Sequence, residues 1–89
     1  MSNSKTNWSQ KEASEGKYFS VLKLTRTATT SEIEKAYRAE IMAKKSEFAN
    51  NPYLHTQLNL AKQYLYDEVS RAAYIKALEQ YNLPDGLEA

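Results

Sequence analysis

Two apolar stripes at helical spacing, separated by Asn50-Asn51-Pro52, constrain this chain more than any other feature of it. Ile33, Tyr37, Ile41 and Phe48 fall on one face of a helix, flanked by Ala36. Leu54, Leu58, Ala61 and Leu65 make a second stripe of the same kind. No Gly or Pro interrupts residues 31–49. The residue before a proline avoids helical dihedrals, and Asn suits helix ends, so the chain must turn at 50–52. A short turn between two amphipathic helices lays them side by side and antiparallel, apolar faces inward.

Local signals set the other boundaries. Thr29 stands three residues before Glu32, a T-x-x-E capping box that opens the first long helix. The pattern predicts helices over 31–49 and 53–66. A break near Asp67-Glu68 leads into a last helix over 70–80, with Ala73, Tyr74, Ala77, Leu78 and Tyr81 apolar. The run Tyr18 to Leu24 is short enough to be strand or helix. Leu22, Ile33, Tyr37, Ile41, Leu58, Ala61 and Leu65 are the expected core. Residues 1–16 are polar apart from Trp8 and read as a disordered arm with a mobile tryptophan; docking of Trp8 on the domain or on a partner is the second reading. Residues 82–89, NLPDGLEA, hold a Pro and a Gly and read as a frayed tail. The folded domain is expected over 17–81.

Composition narrows the function classes. Eighty-nine residues allow one domain with a modest core, worth about 3–5 kcal/mol. There is no cysteine, hence no disulfide and no thiolate metal site. A formal net charge of +1 gives little support to nucleic-acid binding. No apolar run approaches the roughly 18 residues that a membrane span needs. The first residues lack the apolar block of a signal peptide and the Arg-rich pattern of a transit peptide, so a cytoplasmic or nuclear location is the default.

Three segments in register carry a resemblance. YFSVLKL over 18–24, A-T-x-x-E-I-x-K-A-Y-R over 28–38, and L-N-x-A-x-x-x-L-x-D followed by R-A-A-Y over 58–74 resemble the J domain, the DnaJ-like helical module of co-chaperones. The resemblance covers about residues 18–78. It implies an all-α, J-domain-like fold: two long antiparallel helices flanked by short first and last helices, with 18–24 as the first. It also implies a partner, either a heat-shock chaperone of the seventy-kilodalton class or another J protein.

The chain departs from the family where the family acts. A His-Pro-Asp tripeptide between the two long helices drives ATP hydrolysis by the chaperone. Counting from KAYR, it should fall at Lys45, Ser46 and Glu47, and it occurs nowhere in the chain. The connection is also several residues shorter than in the family. Lys23 stands where the family usually has Gly, and Glu40 where it has an apolar residue. If Glu40 is buried, its i, i+4 pairing with Lys44 is needed to offset desolvation. His55 and Lys62 stand where the family tends to bury aromatics.

No catalytic set or cofactor site can be assembled. The lone His55 falls far short of a metal-ligand group, no Gly-rich phosphate loop is present, and Ser46 beside Lys44 and Lys45 has no base or orienting partner. Two surfaces remain as partner-binding candidates. Lys35, Arg38 and Lys45, with Tyr37 beside them, correspond to the basic face that docks on the chaperone in J domains. Glu32, Glu34, Glu40 and Glu47 balance the charge of that helix, and the plainer reading is a solvated face. Tyr53, Gln57, Leu60 and Tyr64 form a second stripe on the third helix. The plainer reading has the short helices cover it; the sharper one is a Tyr-rich binding patch, among seven tyrosines in the chain. The expected function is a non-catalytic J-like interaction module, regulatory or scaffolding, that does not stimulate the chaperone ATPase. A divergent active J-domain co-chaperone is the alternative, and a small helical nucleic-acid binder ranks third.

Overall fold

Capping and periodicity place the helices of the computed structural model, which describes residues 4–86. Their order is α1 Gln10–Gly16, α2 Tyr18–Val21, α3 Thr30–Lys44, a 3₁₀ turn Lys45–Glu47, α4 Pro52–Tyr66 and α5 Glu68–Gln80. No strand occurs among the described residues. The protein is all-helical.

Helix α3 opens as its sequence requires. The Thr29 hydroxyl accepts from the Glu32 amide, and the Glu32 carboxylate accepts from the Thr29 amide. Ala28 before the cap and Ile33 after it are both buried, the two positions of a hydrophobic staple. The helix ends at Lys44 rather than Ala49, tightening into the 3₁₀ turn. The Glu47 carbonyl then accepts from the amides of Asn50 and Asn51, and Pro52 starts α4 where its missing N–H costs nothing. Asp67 caps α5 by accepting from the Ser70 amide and hydroxyl. That cap starts the helix at Glu68, two residues ahead of the boundary expected at 70.

Cross-helix contacts fix the direction of packing. Tyr37 of α3 donates its hydroxyl to Asn59 Oδ1 of α4 at 2.6 Å. Phe48, further on, stacks on His55, nearer the start of α4. At the opposite end Arg71 Nη1 donates to both Thr30 Oγ1 and the Leu65 carbonyl. Helices α3 and α4 are therefore antiparallel. Helix α4 is the central element, packed against α2, α3 and α5, while α1 lies on α5.

Of the expected core, Leu22, Ile33, Leu58, Ala61 and Leu65 are buried, while Tyr37 and Ile41 are half-buried. Phe19, Tyr74 and Leu78 complete the interior, each fully shielded from solvent. Ring contacts link Trp8, Tyr18, Phe19, Tyr64 and Tyr74 into one aromatic cluster with centroids between 5.0 and 5.9 Å apart.

Both chain ends depart from the expectation of loose segments. Within the expected disordered arm, residues 10–16 are helical, Ser9 and Glu12 form a second capping box, and Trp8 is only 7 % exposed. Trp8 and Ala13 hold the two staple positions of α1, and both are buried. Gly16 is required by a close approach: a Cβ there would lie 2.7 Å from the Tyr18 ring. Within the expected frayed tail, Asp85 is buried and accepts from the amides of Phe19 and Ser20 and from the Ser20 and Tyr74 hydroxyls. Arg26 holds the same segment through the Asp85 and Leu83 carbonyls. Gly86, at φ 93°, adopts a conformation that favours glycine and lies against Phe19 and Leu24. Residues 1–3 of the arm and 87–89 of the tail lie outside the described residues.

Two stability measurements follow from this packing. Leu58→Ala or Leu65→Ala should cost roughly 2–5 kcal/mol, the transfer and cavity terms of a fully buried leucine. Asp85→Ala should cost at least about 2 kcal/mol, because it leaves the buried Phe19 amide and Tyr74 hydroxyl without their acceptor. Denaturant melts measure both. Hydrogen exchange at the Phe19 and Ser20 amides, faster in Asp85→Ala than in the parent, locates the second effect.

Candidate functional site

Among the described residues no group of three His, Cys, Asp or Glu side chains could hold a metal ion, and no helix is long and apolar enough to cross a membrane. His55 is exposed and stacks on Phe48 with ring centroids 4.7 Å apart. It acts as a packing aromatic at the closed end of the α3–α4 hairpin.

The basic stripe does not stay together. Lys35 and Arg38 are exposed on α3, with Arg38 Nη2 3.1 Å from Glu34 Oε1. Lys45 begins the 3₁₀ turn, so it leaves the α-helical register that aligned it with the other two. Tyr37 belongs to the α3–α4 seam. Its hydroxyl is spent on Asn59, and the Lys62 ammonium lies 4.9 Å from its ring centroid and 5.7 Å from that of Tyr66. Lys62 thus covers aromatic faces from outside. Lys45, Ser46 and Glu47 are all exposed in the short connection.

A charged residue of the turn after α2 meets one of α3. Glu40 is 7 % exposed and pairs with Lys44 Nζ at 2.9 Å and with Lys23 Nζ at 3.8 Å. Lys23 holds a backbone φ of 59°, the left-handed conformation a glycine would adopt most easily. The strain of that conformation places an ammonium beside a buried carboxylate, which offsets part of its desolvation.

The α4 stripe does converge on a site. Tyr53, Leu60 and Tyr64 line one wall of a groove of about 330 Å³ between α4 and the N-terminal segment. Leu60 and Tyr64 are half-buried against the core, whereas Tyr53 is 60 % exposed. The stripe is partly covered, and its cover comes from a segment the sequence did not implicate. Trp8 packs edge-on to Tyr64 at 5.2 Å and to Tyr18 at 5.9 Å. Glu12 and Glu15 of α1 stand on the opposite wall. The Trp8 Nε1 is buried without a hydrogen-bond partner among the described residues. Such a donor costs about 1–3 kcal/mol, so contacts to the ring, and no hydrogen bond from it among the described residues, hold the indole in place.

Local electrostatics hold the N-terminal segment down. Lys5 Nζ lies 2.8 Å from Glu12 Oε2 and 4.8 Å from the Trp8 ring centroid. The Lys5 amide donates to the buried Ser70 hydroxyl at 2.7 Å. The Lys5 ammonium, then the Ser9 amide and hydroxyl, hold the Glu12 carboxyl well below its ordinary 4.5, at about 2. Burial, with smaller contributions from Tyr64 and Glu12, pushes the Tyr18 hydroxyl up to about 12. Tyr74 moves in the same direction, first from burial and then from its bond to Asp85.

Sequence reasoning ranked a docked Trp8 second to a mobile one, and it missed Lys5 and Glu12. A signal existed: Ser9-x-x-Glu12 is a capping box of the same kind as Thr29-x-x-Glu32, with Trp8 at its staple position. No protein-family model, curated protein or solved structure matches the chain.

The Glu12 pairing predicts a pH response. Its folded pKa lies below its ordinary value, so its contribution is complete above pH 4.5 and is lost as pH falls toward about 2. Trp8 is the only tryptophan, so its emission reports the docking of the segment. Emission should shift to the red as pH falls through that window. The Glu12→Gln variant should show a weaker pH dependence there, because its side chain carries no proton to gain.

Proposed function

We propose that this chain is a J-like helical interaction module: it binds a protein partner in a chaperone system and does not stimulate the chaperone ATPase. The J-like reading is supported by the way the three resembling segments pack. Tyr74 of R-A-A-Y stacks on Phe19 of YFSVLKL, and Arg71 of the same motif reaches Thr30 at the start of α3. The absence of the tripeptide is reinforced by the connection that replaces it. The turn from Lys45 to Asn51 is closed by two bonds to the Glu47 carbonyl and carries no histidine.

The observation that carries the binding reading is the Tyr53–Leu60–Tyr64 groove. Tyrosine offers a large apolar face with a polar tip, which suits a protein interface. The partner in this reading is another J protein or the chaperone itself, and the module restrains the activity of an intact J protein. Lys35 and Lys45, both exposed, support the second reading, an active co-chaperone that contacts the chaperone through Lys35, Tyr37, Arg38 and Lys45. That reading ranks lower because Tyr37 and Arg38 already have partners within the domain.

Single-turnover ATP hydrolysis by a seventy-kilodalton heat-shock chaperone separates the two. The expected result is no stimulation by the chain alone, and reduced stimulation when it is added to an intact J protein. Leu60→Glu should abolish the reduction by placing a charge in a desolvated contact. Raising salt should leave the reduction largely intact, because the contact is apolar. Stimulation by the chain alone, lost in Lys35→Ala/Lys45→Ala, would establish the active co-chaperone instead.

A further inference from the structure

The groove holds a cation of its own at one edge. The Lys5 ammonium is 2.8 Å from a Glu12 carboxylate oxygen and 4.8 Å from the centre of the Trp8 indole. A carboxylate and an aromatic face together make a favourable site for a cation, since the ring quadrupole adds to the ion pair. The rest of the groove continues from that point: Tyr18 and Tyr64 pack on Trp8, and Tyr53 stands open beyond them. Glu15 adds a second exposed carboxylate to the lining, where Lys5 is the only basic residue among the described ones. With Lys5 displaced, the described lining presents two carboxylates and no cation.

We propose that this groove receives a lysine side chain from an apolar segment of a protein partner, and that Lys5 occupies the cation position in the free protein. The inference rests on the groove being the interaction surface proposed above, and it names the chemistry of what enters. Lys5 is both the template for the ligand and its internal competitor. It sits five residues from Gln10, where α1 begins, so its effective concentration at the site is high. A partner lysine succeeds because its apolar neighbours also reach Tyr53 and Leu60, which Lys5 alone cannot do. An acidic or purely apolar segment lacks the complement to Glu12 and Glu15.

Two synthetic peptides test this: acetyl-Leu-Ala-Lys-Leu-Leu-amide, and the same peptide with uncharged norleucine replacing lysine. Binding to the full chain is followed by Trp8 emission and by amide chemical shifts of Tyr53, Leu60 and Tyr64. The lysine peptide should bind, and Lys5→Ala should tighten it about ten-fold by removing the competitor. In the Lys5→Ala background, Glu12→Gln should weaken it about ten-fold. Gln at this position keeps the capping box, and circular dichroism verifies that α1 and the domain persist. Equal binding of the two peptides at these residues overturns the lysine site and leaves the groove as an apolar contact surface. Tightening absent in Lys5→Ala overturns the competitor role. Failure of both peptides to shift these residues, in the parent and in Lys5→Ala, removes the groove reading together with the lysine site.

Discussion

Helix α2 has four residues, too few to satisfy its own backbone. Its first amides lie in the interior and need acceptors that a short helix cannot supply. Asp85 supplies them. One carboxylate accepts from Phe19, from both donors of Ser20, and from the Tyr74 hydroxyl, while Tyr74 itself accepts from the Tyr18 amide. This joins α2, α5 and the C-terminal segment at one buried point. With α2 held there, Phe19 fills the core and Tyr18 turns toward Tyr64 and Trp8. The aromatic cluster, the groove beside it and the seat of the N-terminal segment all depend on that anchor.

A second constraint operates where α2 leads into α3. A buried carboxylate at Glu40 would be costly alone, and two ammonium groups surround it. Lys44 is a neighbour one helical turn away. Lys23 comes from the turn after α2, in a backbone conformation that lysine adopts with strain. Lys23 and Glu40 are thus physically coupled.

The N-terminal segment joins stability to the proposed function. It covers the upper part of the α4 stripe with an indole and leaves the lower part, around Tyr53, open. It is held by ring contacts, by the Lys5–Glu12 pair and by a bond to Ser70, and its Trp8 Nε1 is buried without a partner among the described residues. A cover held in this way can yield to a ligand that reproduces its contacts. The proposed lysine-bearing partner does so through the cation position and through the apolar groove at once.

The elements legible in the sequence are those whose causes are local. The α3 capping box, the stripes of α3 and α4, and the Asn50-Asn51-Pro52 turn each lie within a few residues of what they determine, so helix order and the antiparallel hairpin could be read from them. The absence of a His-Pro-Asp tripeptide was equally plain. The Tyr53–Leu60–Tyr64 stripe was legible as a periodicity, but its cover was not. Burial of Trp8 and Asp85 was decided only by tertiary structure. Asp85 meets Phe19 across 66 residues, and the Lys5 amide meets Ser70 across 65. A polar segment at either end of a chain looks loose until the distant donors and rings that order it are brought together by the fold.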